Sequence, residues 1–220
     1  MSSKKLFEMR RLKIFLFLTI FCSLISVYCF SEIIDRIIAV VNEQVITLTD
    51  VRVVEAFGLY EDEFKGRSES PRMLILEKLI DQKLVIQLSG EGVSAGKEEL
   101  DSSLKEMEEK MGSEEVERKL ADFGLDLNDL REYIREKIVY QTILTRKFSH
   151  GNIVNVKEIE DYYKKIYIPF QREKGEEPRP MMELLDEIES VIKQEKMKTQ
   201  IDEWIKNLRE KADVQIKLKS

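Results

Sequence analysis

Only two stretches of this chain are built for β-structure, and they lie at opposite ends of an otherwise helical sequence. Near the N-terminus, Ile37-Ile38-Ala39-Val40-Val41 is a β-branched apolar run. It turns at Asn42-Glu43-Gln44 and resumes at Val45-Ile46-Thr47, the pattern of a tight hairpin. At the other end, Asp213 to Lys219 alternates, with Val214, Ile216 and Leu218 on one face and Gln215 and Lys217 on the other. A lone strand does not stand by itself in water. The C-terminal strand is therefore predicted to pair with the hairpin, as the edge of a three-stranded sheet that joins the two chain ends. The expected fold class is mainly α: a multi-helix domain with a small β-sheet formed by an N-terminal hairpin and the C-terminal strand.

Helical signals fill the space between. Thr49 and Asp50 supply an N-cap for a helix to about Phe57, before Gly58. Residues 61–71 are polar, contain Gly66 and Pro71, and read as a loop. A second helix follows Pro71. Its apolar stripe (Met73, Leu76, Leu79, Ile80, Leu84, Leu88) is widened by Ile75, Val85 and Ile86, so it should be buried between others. Ser94 can cap a third helix with the stripe Leu100, Leu104, Met107, Met111, and Ser113 a short fourth one ending at Phe123. Gly124 then suits a left-handed C-terminal residue. A fifth helix spans about Asn128 to Phe148 with Leu130, Tyr133, Ile134 and Ile138 inward. Asn155 and Glu158 form a capping-box start for a sixth, expected to end at Pro169. Residues 168–180 hold three Pro and one Gly and read as a connector. The last helix runs from about Met181 to Lys211, is thin in apolar residues from Lys193 to Gln200, and uses Trp204 as an anchor against the N-terminal block.

The chain as a whole has 36 Lys+Arg against 42 Asp+Glu, but the first residues differ from the rest. Five bases and one acid stand in residues 1–31, where an apolar run from Ile14 to Phe30 follows the basic flank. That is the layout of a secretory signal peptide. Cys29 and Ser31 fit the small positions before a cut, which would leave Glu32 as the new N-terminus. An uncleaved anchor and a lipid-modified Cys29 are the alternatives. The run is short for spanning a bilayer, and Tyr28 is bulky where a lipid site wants a small residue. Without residues 1–31 the chain carries 31 bases against 41 acids, a net charge of −10, and no cysteine. That excludes disulfides, zinc-thiolate sites and thiol nucleophiles there. Acidity without a basic block argues against nucleic-acid binding. An apolar fraction of 43% with clear periodicity argues against disorder, and four Pro and nine Gly are too few for an all-β sandwich.

Catalytic signals are weak. His150 is the single histidine. It stands near a helix C-terminus, where it favours the dipole, and no partner to orient it as a base is identifiable. The acids Glu98, Glu99, Asp101, Glu106, Glu108 and Glu109 interleave with Lys97, Lys105 and Lys110 as a solvated helix face does, with no calcium-loop spacing. There is no Gly-rich phosphate loop and no GxSxG. No cofactor, metal site or catalytic residue is assigned.

The N-terminal residues carry a resemblance. A signal-like segment followed by DRIIAVVNEQVITLTDV closely resembles the opening of the SurA family of periplasmic chaperones. The similarity continues through LEKLIDQKLVIQLSGEGV, VSAGKEELDSSLKEM, FGLDLNDLREYIREKIVYQTIL and VNVKEIEDYYKK, and returns at WIKNLREKADVQIKL. The family usually carries one or two parvulin-type prolyl isomerase domains between those blocks. Here only residues 168–180 lie between them, too few for such a domain. The resemblance thus implies 1–31 as signal peptide, 32–167 as the N-terminal chaperone domain, 168–180 as a connector in place of the isomerase, and 181–220 as a helix and strand packing back.

It also implies an ATP-independent chaperone of the periplasm, not an enzyme, whose partners are unfolded outer-membrane or envelope proteins held in an apolar groove. Stable membrane insertion after signal removal is not expected, and the oligomeric state is open. Met73, Met107, Met111, Phe123 and Tyr133 are the candidate peptide-binding residues. Methionine is soft and adaptable, as a groove for varied sequences requires, although Met107 and Met111 also keep the spacing of plain core. A peptidyl-prolyl isomerase and a scaffold subunit with one fixed partner are the alternative classes.

Overall fold

A computed structural model describes residues 35–149, 151 and 153–217. The N-terminal segment read as a signal peptide, with Cys22 and Cys29, lies outside the described residues, as do His150 and Leu218. In chain order the elements are β1 (Ile37–Val41), β2 (Gln44–Thr47), α1 (Leu48–Ala56), α2 (Glu61–Phe64), α3 (Pro71–Ser89), α4 (Lys97–Met111), α5 (Ser113–Phe123), α6 (Leu127–Phe148) and α7 (Val156–Tyr162). A π turn (Tyr163–Tyr167), α8 (Ile168–Glu173), a 3-10 turn (Met181–Glu183), α9 (Leu185–Arg209) and β3 (Val214–Ile216) complete them. The mainly α fold with a small terminal sheet is the one expected.

The sheet order is β2-β1-β3, antiparallel throughout, so the first strand of the chain is central and the last is an edge. An irregularity between Ile37 and Ala39 shifts the β1–β2 register. It lets Ile38 and Ala39, adjacent in sequence, both enter the core at 2% and 0% exposure. Asn42 turns the hairpin with φ 53, a left-handed conformation that asparagine tolerates. The same residue ties three elements together. Its amide N–H donates to the Asp213 carbonyl at 2.7 Å, its Oδ1 accepts from the Asp213 amide, and its Nδ2 donates to Gln87 Oε1 on α3 at 2.7 Å. The inward face expected for the last strand is only partly realised. Val214 is half-buried, but Ile216, on the edge strand, is 48% exposed.

Several boundaries differ from the sequence expectations, each for a local reason. The cap of α1 is Thr47, not Thr49 or Asp50; Asp50 instead closes a capping box back onto the Thr47 amide. The N-cap of α4 is Gly96, and Ser94 lies outside the helix. Ser113 is the first residue of α5, not its cap. Gly112, at φ 89, ends α4 and starts α5, reversing the chain in one residue as only glycine does without strain. The loop at 61–71 contains the short helix α2, whose first turn carries Glu61, Asp62 and Glu63 where the helix dipole favours acids. Pro169 does not end the sixth helix. A π turn precedes it, with the Ile168 amide bonded to the Tyr163 carbonyl five residues back, and the helix continues to Glu173. Gly124 is left-handed, and Asn155 with Glu158 makes the expected capping box.

The largest core cluster gathers the sheet, α1, α3, α4, α5 and α6 around Leu76, Ile80 and Leu130. α3 is its centre, buried at Ile75, Leu76, Leu79, Ile80, Leu84 and Val85. A second cluster docks the end of α9 on α3 and α6: Ile205 is buried with Val85, Val139, Tyr140 and Ile143, and Trp204 packs at its margin. The Trp204 ring meets Phe148 edge-on at 5.4 Å. A third, smaller cluster joins Ile159 of α7 to Leu184, Ile188 and Ile192. Between the second and third, residues 193–200 of α9 are largely exposed, and the helix carries on through them. Among the described residues no helix is long and apolar enough to cross a membrane.

Candidate functional site

An open cleft of about 990 Å³ lies where the end of α1 and the turn into α2 face α4 and α6. Its floor is set by the core. Phe57, Leu59 and Tyr60 follow α1, and Ile134 and Ile138 sit on the inward stripe of α6. Met107 and Met111 close it from α4, half-buried because that helix is amphipathic and its last two turns ride over the edge of the core. The rim is charged, and four of its carboxylates are held in ion pairs. Glu55 meets Arg72 at 2.9 Å, Asp62 meets Lys65 at 2.6 Å, Glu63 meets Lys78 at 2.5 Å, and Glu109 faces Lys105 at 3.6 Å. Lys119 donates to the Ala56 carbonyl at 2.8 Å. The hydrogen bond from Lys65 holds the Asp62 carboxyl below its usual range. The cleft is thus an open trough with an apolar floor of Phe57, Leu59, Met107, Met111, Ile134 and Ile138 and a charged, mainly acidic rim.

A buried polar network stiffens its back wall. Gln82, on the buried face of α3 at 2% exposure, accepts from the Tyr60 hydroxyl and donates to Glu136 Oε2 at 2.9 Å. Lys83 reaches the other oxygen of Glu136 at 2.6 Å. Burial raises the Tyr60 hydroxyl far above the ordinary tyrosine range, so it stays protonated and donates. The ammonium groups of Lys78 and Lys137 stand over the Tyr60 ring at 5.1 and 5.4 Å.

Of the five candidate peptide-binding residues, the structure brings Met107 and Met111 together in this cleft. Met73 lies near the start of α3, 44% exposed and away from the cleft lining. Phe123 ends α5 with the Arg52 guanidinium over its ring at 5.6 Å. Tyr133 lines a separate shallow pocket and donates to Asp50 Oδ1 at 2.6 Å. Sequence reasoning missed Tyr60, Gln82 and Lys137. Gln82 had a visible signal, an amide inside an apolar helical stripe. Lys137 had another, following the inward Tyr133 by one helical turn. The acid series on α4 remains a solvated face, with Asp101 paired to Arg131 at 3.1 Å, and no metal-holding cluster occurs among the described residues.

A further feature unread in the sequence is the clasp of α9 on α3. Arg209 donates to Asp81 and to Glu77, each at 2.6 Å, and to the Glu77 carbonyl at 3.1 Å. Glu77 and Asp81 are one helical turn apart, so one guanidinium spans both. No domain stands between α8 and α9: residues 174–184 are a loop and a 3-10 turn.

Comparison with known proteins follows the same outline. The curated relatives include the Chaperone SurA of Nitrosospira multiformis, 30% identical over 138 residues, and that of Legionella pneumophila, 22% identical over 153. The matches cover 60% and 65% of this chain but only 31% and 36% of those proteins, so the chain corresponds to about a third of their length. The SurA N-terminal domain family matches residues 34–144, from the hairpin through most of α6, which includes every wall of the cleft. With half of its length in that match, the chain belongs to the SurA N-terminal domain family.

Proposed function

We propose that this chain is an ATP-independent chaperone of the periplasm that holds unfolded outer-membrane or envelope proteins and does no catalysis. The observation that carries the reading is the Met107–Met111 cleft, an open trough with an apolar floor and a charged rim, four of whose carboxylates are held in ion pairs. Unfolded segments bury their apolar side chains there. Two unbranched methionines accommodate different shapes at small cost. Release follows from weak affinity, and aggregation is suppressed by mass action on the unfolded state. The names of the relatives support the chaperone class. Export by a cleavable signal between Ser31 and Glu32 supplies the compartment, and N-terminal sequencing of exported protein tests it.

The deciding assay is aggregation of an unfolded outer-membrane β-barrel protein, followed by light scattering. The chain should slow it at near-stoichiometric ratio without ATP, and moderate salt should weaken the effect little. M107Q/M111Q should remove most of the protection while leaving the thermal melt close to the parent's. No protection at several-fold excess, or prolyl isomerisation above the uncatalysed rate, refutes the proposal. Capture of one stoichiometric partner would replace it with a scaffold role.

A further inference from the structure

Two lysines flank Tyr60, and they differ in what else they touch. Lys78 stands over the Tyr60 and Tyr140 rings and has the Glu63 carboxylate at 2.5 Å. Lys137 stands over Tyr60 at 5.4 Å and lines the cleft. Among the described residues it has no carboxylate within ion-pair distance and no hydrogen-bond acceptor, although it is half-buried. Lys110, facing it from α4 across the same cleft, likewise has no carboxylate partner. The nearby acids are engaged elsewhere or do not reach: Asp62 holds Lys65, Glu63 holds Lys78, and Glu61, Glu99 and Glu106 make no ion pair with Lys137. Burial lowers the Lys137 ammonium below its usual range, with Lys78 and Lys110 adding to the effect and Glu63 and Asp62 opposing it. A half-buried ammonium with no carboxylate partner of its own is free to pair with one that a ligand brings. Such a ligand gains a charge-assisted hydrogen bond, made in partly desolvated surroundings.

We infer that Lys137, with Lys110 opposite, is an anchor for a client carboxylate, so that the cleft prefers extended segments in which an Asp or Glu neighbours a large apolar residue. This rests on the cleft being the client site. The apolar side chain lies on Met107 and Met111, and the carboxylate meets Lys137 beside the Tyr60 ring.

The test uses fluorescence anisotropy with two dye-labelled unstructured peptides, identical except that a Phe is followed by Asp in one and Asn in the other. The parent should bind the Asp peptide about five- to tenfold more tightly, the upper part of the range of an ordinary net hydrogen bond. K137M should bind both at the level of the Asn peptide, and K137R should keep part of the preference. M107Q/M111Q should weaken both peptides alike. Equal binding of the two peptides by the parent, with the methionine variant still weakening both, overturns the carboxylate anchor and leaves the cleft as client site. If neither peptide binds, the cleft reading fails and the anchor with it. Should K137M not fold, the parent's Asp-to-Asn ratio decides alone.

Discussion

Deleting residues 213–220 tests the closure of the fold, and the structure sets its size. The cut removes the bond from the Asn42 amide to the Asp213 carbonyl and the bond from the Lys217 amide to the Ile38 carbonyl, each 2.7 Å. It also removes the pairing of Val40 with Gln215 between them. Edge hydrogen bonds of this kind contribute about 0.5–1 kcal/mol each, so the ladder supplies about 2–3 kcal/mol. Full burial of Val214 and Ile216 would add about 3–6 kcal/mol. Val214 is half-buried and Ile216 is 48% exposed, which reduces that to about 2 kcal/mol. The total is about 4–5 kcal/mol, a large part of a typical domain's 5–15 kcal/mol but less than all of it. At about 2–4 °C per kcal/mol for a chain of this size, the melting temperature should fall by about 8–20 °C. The truncated chain should remain folded at room temperature with a cooperative transition. Helical circular dichroism at 222 nm, followed against temperature and urea, measures this. A melt within about 3 °C of the parent would refute the closure. Complete loss of the transition would show that β3 supports far more than the contacts counted.

Other expectations concern the clasp. R209M should destabilise the chain by about 1.5–3 kcal/mol in urea unfolding, because it leaves Asp81 and Glu77 facing partly buried space without their cation. Adding D81N should recover part of that loss, giving a non-zero coupling in the double-mutant cycle. Asp81 also predicts a pH effect. Burial raises its carboxyl above the ordinary value, against the lowering effect of Arg209. Its folded state therefore binds the proton more readily than its unfolded state. A charge penalty is present above the folded pKa and is relieved as pH falls toward about 4, so the stability of the parent relative to D81N should rise over that descent. A difference that is flat or falls would contradict the assignment.

The sequence by itself determined the parts that local chemistry dictates. The alternating runs at the two ends could be satisfied only by each other, so the terminal sheet and its mainly helical filling were legible before any coordinates. The same holds for α3, whose apolar residues surround it on several sides, for the left-handed Gly124 and for the Asn155–Glu158 box. Helix starts were read less well. Thr47 and Thr49 offer the same side-chain chemistry within two residues, and α4 starts at Gly96 with no side-chain cap at all, so only the path of the neighbouring chain selects the start. Pro169 carries a rule about amides that its own sequence cannot override; a π turn relieved it, and that turn is held by packing around Tyr163 and Tyr167.

The site was decided almost wholly in three dimensions. Periodicity gave Met107 and Met111 as a stripe but could not say that the stripe overhangs a cleft, since a helix face is equally regular over core or over space. Met73 and Phe123 stand near helix ends outside the cleft lining, and Tyr133 sits on a helix that lines the cleft but faces the shallow pocket beside Asp50 instead. Asn42, Gln82 and Arg209 act through partners 45 to 171 residues away, and Lys137 stands over the ring of the distant Tyr60. Such pairings follow from how the helices stack, and a linear pattern does not encode which charged side chain will be left half-buried without its counter-charge.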